Sequence, residues 1–476
     1  MIDDAPAVPD TLQGASAKPP RRTALEVVRA LSQPKVAAMT ALGFSSGLPF
    51  LLIGNTLGYW LREGGVALAA IGFLSWAGLA YSFKFVWGAV VDRAPPPFLG
   101  HLGRRRGWMI LAQAGIAVGL VGMALFGPKG HAVGDLRWLA AAAVVAGVSA
   151  ASQDVVIDAW RIEIAADSAE LGLLTSAYSL AFRVAIIATD AWILGLAALV
   201  GWSAAYGLFA LLILIGVWGA LYAREPERAD AVIEARAGEA ARHPVRGAYD
   251  TVVEPFVSFF RTHGWAAILM LAVITLYHLC DYLRGPILNP YYVDLHIPKS
   301  EVMAVRTSIG LASSMIGTIV GGLLALRIGV WRTLILGGVL QPIAIAAFAF
   351  LAYWGPSPAL FSTVMVFDGF SMSLAGIALI SYMSTLTSLG YTATQYALLT
   401  SALAWTGKFL KGFSGAWVQG LVTPTRDLTH AYALFYLYAA ATGIPALALV
   451  LWLAWIQRGP AQPTASLPTD ASALTS

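Results

Sequence analysis

Apolar residues run along this chain in long stretches separated by short polar interruptions. Runs of about 18 or more such residues are long enough to cross a hydrocarbon core of roughly 30 Å. They lie at 36–61, 70–92, 108–127, 138–160, 171–200 and 203–223, and again at 265–293, 302–326, 332–354, 358–388, 392–422 and 430–456. Six plus six predicts an all-α membrane protein with 12 transmembrane helices in two six-helix halves. Between the sets, residues 224–264 carry the one long charged stretch, from Arg224 and Glu225 to Asp250 and Glu254, and are read as a linker. The expected organisation is a tail at 1–35, one half at 36–223, the linker at 224–264, a second half at 265–456 and a tail at 457–476. The first apolar run starts too late and is too long for a cleavable signal peptide.

Composition supports lipid as the main solvent: 58% of residues are hydrophobic and 12% charged, against roughly 25% charged in soluble domains. Net charge is only +4, but its distribution orients the chain. With the N-terminus inside, 19 of the 30 Lys and Arg fall on the cytoplasmic side, 6 on the opposite side (Arg62, Lys129, Arg137, Lys299, Arg306, Arg426), and 5 within apolar runs. By the positive-inside rule both termini and the linker are expected in the cytoplasm of a bacterial cell. The single cysteine, Cys280, lies in an apolar run and reads as packing. The seven His are scattered, and no metal cluster, phosphate-cradling loop or nucleophile elbow is legible. We therefore expect no enzyme, no cofactor, no metal and no nucleic-acid partner, and a monomer in the bilayer.

A loop pattern repeats at the same place in the two halves. After the second run comes Gly88-Ala89-Val90-Val91-Asp92-Arg93, then a Pro-rich insertion and Gly103-Arg104-Arg105-Arg106-Gly107; after the eighth comes Gly322 to Arg327, then Gly329 and Arg332. The pattern resembles the loop signature of the major facilitator superfamily, in which two six-helix halves rock about a site at the membrane midplane. Gly88, Asp92, Arg93, Arg104 and Arg105 are candidates for a conformational latch. Alternatively they form a basic loop that sets topology. Leu326 replaces the Asp in the second copy, so only the first copy has the charged pair.

An ionisable group at the centre of a spanning helix costs roughly 2.5–3.5 kcal/mol on insertion scales, so each one kept there needs a partner or a cavity. Lys84 lies in the second run, as a snorkelling residue or a cargo contact. Asp154 and Asp158, with Gln153 beside them, are spaced i, i+4 and share one helix face. They either raise each other's affinity for protons or pair with Arg161 or the 104–106 cluster. Arg183 offers a permanently charged planar fork for carboxylate, phosphate or sugar oxygens, with Asp190 two turns on as its counter-ion or near the far mouth. The seventh run holds Tyr277, His278, Asp281 and Arg284 before Pro286 and Pro290. His278 and Asp281 are spaced to share a proton, and the prolines are expected to break the helix at a gate. Asp368 in the tenth run, and Gln395, Lys408 and Lys411 in the eleventh, complete the set. The lysines pair with Asp368, bind an anion, or snorkel.

Several segments together resemble the AmpG muropeptide permease family across roughly 36–456. They are Ser45-Ser46-Gly47-Leu48-Pro49, Lys84-Phe85 with Asp92-Arg93, Gly103 to Trp108, Gln153-Asp154-Val155-Val156-Ile157-Asp158-Ala159-Trp160, Tyr277 to Asp281, and Ala393-Thr394-Gln395-Tyr396-Ala397-Leu398-Leu399. The Gln-Asp and Ala-Thr-Gln motifs are the specific ones. The chain departs from that family at His278, Asp368 and Asp190. The resemblance implies proton-driven import, across the inner membrane, of N-acetylglucosaminyl-1,6-anhydro-N-acetylmuramic acid with or without its stem peptide, for peptidoglycan recycling and in some bacteria for β-lactamase induction. Asp154, Asp158, Asp281, Asp368 and His278 are then proton-coupling candidates. Lys84, Gln153, Arg183, Tyr277, Gln395 and Lys408 are candidates for the sugar-peptide cargo. The alternative is the same fold carrying a drug, a siderophore or an acetyl-coenzyme A-like ester.

Overall fold

The structure is a computed structural model that describes residues 33–83, 96–128, 136–165, 168–225, 257, 260–261, 264–386 and 405–456. Lys84, Gly88, Asp92, Arg93 and Gln395 lie outside the described residues. With no water to pair exposed backbone groups in a bilayer, each segment must satisfy its own N–H and C=O, and helices do so. Ten helices among the described residues are long and apolar enough to span. They correspond to ten of the twelve apolar runs; the runs at 70–92 and 392–422 are described in part.

The first half comprises α1 (Pro34–Leu52), α2 (Asn55–Glu63), α3 (Leu68–Leu74), α4 (Arg104–Phe126), α5 (Leu136–Ile164), α6 (Ser168–Ile187), α7 (Ile193–Val200) and α8 (Trp202–Tyr222). The second comprises α9 (Ala266–Tyr277), α10 (Leu279–Asp294), α11 (Lys299–Val305), α12 (Leu311–Arg327), α13 (Val330–Trp354), α14 (Pro358–Thr385), α15 (Ser414–Gly420), α16 (Leu428–Ala441) and α17 (Gly443–Ile456). Several spans are broken helices: α1 and α2 form one crossing interrupted at Gly54, and α9 and α10 one interrupted at His278. The expected break at Pro286 and Pro290 is therefore displaced. Both prolines lie inside α10, which continues to Asp294, and the interruption precedes them.

The two halves pair their helices alike. α4 packs on α5 and α8, as α13 packs on α14 and α16; α1 packs on α8, as α9 packs on α17. Hydrophobicity does not drive these contacts in lipid; close approach of small residues does. A side chain at Gly43 would place its Cβ 2.5 Å from the Tyr178 carbonyl oxygen, and one at Gly47 2.7 Å from that of Phe182, so α1 and α6 touch backbone to backbone. Gly43→Val is expected to cost about 1–3 kcal/mol through overpacking. Thermal unfolding of the detergent-solubilised protein, read as loss of the monodisperse peak, checks this against a neighbouring lipid-facing substitution.

The end of the molecule near the linker is braced by charge. The Glu225 carboxylate accepts from the backbone N–H groups of Arg105 at 2.6 Å and Arg106 at 3.1 Å, placing an anion at the α4 N-terminus. Arg105 reaches Glu163 of α5, Nη2 to Oε1 2.5 Å, and Lys35 reaches Glu170 of α6 at 3.1 Å. The Arg105 side chain thus ties α4 to α5 within the first half.

Candidate functional site

Among the described residues, the halves meet at the end away from the linker. There α2 packs on α10, α3 on α15 and α7 on α11. Arg62 donates from Nε to Asp294 Oδ1 at 2.7 Å, and the Tyr432 hydroxyl donates to Oδ2 of the same carboxylate at 2.5 Å. Lys299 pairs with Glu63 at 2.8 Å, and Arg306 with Asp190 at 2.8 Å while also donating to Asn289 Oδ1 at 2.6 Å. Among the described residues, every ion pair between the halves lies at this far end. Asp190 and Arg306 each sit in a π-helical turn, Ala188–Trp192 and Arg306–Gly310, facing one another. The other seam matches a 3-10 segment, Ser75–Phe83, with another, Lys411–Phe413. Such departures from α geometry often mark hinges, strain or functional sites.

Next to this closed end lies a cavity of two lobes that share Phe50 and Lys408. The first, of about 660 Å³, is lined by Asp154, Tyr178, Ser179, Phe182 and Arg183 of the first half and by Leu311 and Ser314 of the second. The second, of about 410 Å³, runs between the interrupted helices: Gly54, Asn55, Ser75 and Gly78 on one side, and His278, Asp281, Tyr282, Met372 and Lys411 on the other. Both volumes fall in the range of about 300–1,000 Å³ of small-molecule sites.

Three ring side chains wall the first lobe, with Tyr178 stacked on Phe182 at 5.9 Å and Phe50 tilted against Phe182 at 6.2 Å. Arg183 stands exposed beside them and has no ion pair among the described residues. Asp154 is buried and accepts a short hydrogen bond from the Ser46 hydroxyl, whose oxygen lies 2.9 Å from Tyr178 Oη. Asp158 behaves differently. It is 49% exposed and pairs with Arg161 at 2.9 Å, so the two carboxylates share a helix face without sharing surroundings.

The second half contributes a buried charged chain that ends at the cavity. Arg284 donates from Nη1 to Asp368 Oδ2 at 2.6 Å and approaches Asp281 Oδ1 with Nη2 at 3.4 Å. Asp281 Oδ2 is 3.0 Å from His278 Nδ1, which is 2.8 Å from Gln341 Nε2. One ring nitrogen cannot donate to Asp281 and accept from Gln341 at once, so the imidazole serves one of these two contacts at a time. His278 and Asp281 of the seventh span are thus brought together with Asp368 of the tenth. Arg284, which joins them, stands in the sequence as a charge of the seventh run with no role assigned, and Gln341, a polar residue in an apolar run, is not singled out by that same signal.

Two cargo candidates lie elsewhere. Tyr277 is buried between α9 and α13 and donates to the Leu334 carbonyl at 2.7 Å, away from the cavity. Gln153 is wholly buried, donating to Ser45 Oγ at 2.7 Å within the first half. Helical position fixes depth in the membrane, not the face a residue presents, and both turn inward to their own bundle. Of the two readings of Asp190, it is not the counter-ion of Arg183 but lies at the far end and serves Arg306 across the seam; of the three readings of the lysines, pairing with Asp368 gives way to Arg284. Arg306, counted among the far-side loop cations, is buried in the eighth span with a side chain 7% exposed.

Residues 36–410 match the family profile of the Major Facilitator Superfamily. The chain belongs to this superfamily. Its members are transporters rather than enzymes, and the chain is a multi-pass membrane protein. The sequence is 31% identical over 429 residues to the "Anhydromuropeptide permease" of Escherichia coli (strain K12), covering 90% of this chain and 81% of that one. The fold matches the crystal structure of the nucleoside transporter NupG with a TM-score of 0.62 at 14% identity, over 88% of this chain and 98% of that one. It also matches a D-xylose-proton symporter with a TM-score of 0.61 at 13% identity, over 89% and 97%. The 12-helix, two-half architecture read from the apolar runs is thus the major facilitator fold.

Proposed function

We propose that this facilitator carries anhydromuropeptides, N-acetylglucosaminyl-anhydro-N-acetylmuramic acid with or without a stem peptide, inward across a bacterial inner membrane with protons. One observation carries the proposal: a permanent cation, Arg183, stands without a carboxylate partner among the described residues, in a lobe walled by aromatic rings. A guanidinium there favours an anionic ligand with planar oxygens, and the rings suit the apolar faces of sugars. The 31% identity to the Escherichia coli permease supports the same cargo. With the linker in the cytoplasm, as the basic residues indicate, the closed end is periplasmic and the cavity lies on its inward side.

Coupling rests on carboxylates that meet the cavity. His278 and Asp281 line it and are tied through Arg284 to Asp368, while Asp154 meets the first lobe beside Arg183. A proton taken by this chain releases Arg284 from one carboxylate and rebalances the bundle beside the broken ninth-to-tenth helix junction, which is how protonation moves a rocking half.

Uptake of labelled anhydro-disaccharide into proteoliposomes tests both parts. Accumulation under an imposed proton gradient that collapses with a protonophore is the expected result; accumulation indifferent to the protonophore defeats coupling, and no uptake defeats the cargo. Arg183→Ala removes charge-assisted bonds worth about 1.5–3 kcal/mol, and the expected outcome is a rise in the apparent KM of roughly tenfold to a hundredfold. A wild-type KM in that variant would remove Arg183 from the site.

A further inference from the structure

The two lobes differ in chemistry, and the difference assigns them to different parts of one ligand. The first is walled by the rings of Phe50, Tyr178 and Phe182 and holds one guanidinium, Arg183, and one carboxylate, Asp154, that already accepts from Ser46. The second holds two primary amines, Lys408 and Lys411, facing Asp281 and His278. Lys408 also lines the first lobe and so marks the junction. Lys411 makes no ion pair among the described residues, and lies in the 3-10 segment that packs on Ser75–Phe83 across the seam. The second lobe also opens on the start of α2, whose backbone N–H groups add positive potential at Asn55.

We infer that the second lobe is a subsite for a peptide limb bearing carboxylates, while the sugar rings occupy the first. This rests on the cargo proposed above. A zwitterionic peptide needs cations for its carboxylates and an acceptor for any amine, and Lys411 and Asp281 supply one of each. The neutral ring faces of the sugars need aromatic walls instead, and the one carboxylate of the peptide-free disaccharide needs a single cation, which Arg183 supplies. When the cargo carries a peptide its carboxylates stand at the far end of the limb, beyond the sugar; in the peptide-free disaccharide the remaining carboxylate is on the sugar itself, within reach of the junction rather than of Lys411. Lys411 is accordingly a specificity residue that favours peptide-bearing over peptide-free cargo, and Phe182 serves both.

The test is binding of two probes to the purified full-length protein, the anhydro-disaccharide alone and the same disaccharide carrying a tripeptide, followed by tryptophan fluorescence. Lys411→Gln is expected to weaken the peptide-bearing probe at least tenfold more than the peptide-free one, with Lys411→Arg recovering most of the difference. Phe182→Ala is expected to weaken both probes by the same factor. Equal weakening of both probes by Lys411→Gln, in protein that elutes as the wild type does, overturns the subsite while leaving the cargo intact. Wild-type protein that binds neither probe overturns the cargo and the subsite together.

Discussion

Asp368→Ala is expected to destabilise the protein by about 3–5 kcal/mol and to abolish transport. The cost comes from what is left behind rather than what is removed: Arg284 is buried, its Nη1 donates to Asp368 at 2.6 Å, and its Nε has no acceptor among the described residues. Breaking one side of a buried pair strands a charge in low dielectric, whereas replacing both partners with apolar groups is often neutral. The double variant Arg284→Met with Asp368→Leu leaves Asp281 with His278 as its partner and is therefore expected to regain most of the melting temperature and none of the uptake. That separation distinguishes a pair kept for coupling from one kept for stability. Thermal unfolding and proteoliposome uptake of the three proteins decide it: a single variant that melts with the wild type removes the buried-charge argument, and a double variant that transports removes the coupling role.

How much of this was legible beforehand follows from what lipid does to sequence patterns. Hydropathy located the ten crossings seen among the described residues because apolar length is what a bilayer selects, and it located Asp154, Arg183, His278, Asp281, Asp368 and Lys408 because charge in such runs is costly. All six do belong to the cavity or to the chain reaching it. The face each residue presents was not legible. In a soluble helix a polar stripe marks the outside, but a helix in lipid is apolar on the outside as well, so no stripe tells Gln153, which turns into its own bundle, from Asp154, which meets the cavity one position later. Tyr277 was misplaced for the same reason. The closed far end was the least legible feature of all. Arg62, Lys299 and Arg306 read as ordinary loop cations, and only the juxtaposition of the halves shows that each answers a carboxylate from the opposite half, Asp294, Glu63 and Asp190.

Glycine holds that far end closed as much as charge does, and Gly415→Leu is expected to open it. A Cβ at Gly415 would collide with the Leu68 carbonyl oxygen, and one at Gly72 with that of Gly412, so α3 and α15 come together only because neither residue has a side chain. A leucine has no rotamer that escapes a clash made by its own Cβ with backbone. Overpacking costs about 1–3 kcal/mol at one position, while reversing an equilibrium from 1:99 to 99:1 takes about 5.5 kcal/mol. The single variant is thus expected to slow uptake and populate the open state partially, and Gly72→Leu with Gly415→Leu to stop uptake. Ile71 reports the state, because it is 2% exposed beside this seam. With Cys280 replaced by Ala, Ile71→Cys is expected to resist a membrane-impermeant maleimide in the parent and to label at least tenfold faster once Gly415→Leu is added. Protection that survives both glycine substitutions would mean that the ion pairs alone keep the halves together. The matching experiment, Arg306→Ala in the same labelling background, would then be the one that exposes Ile71.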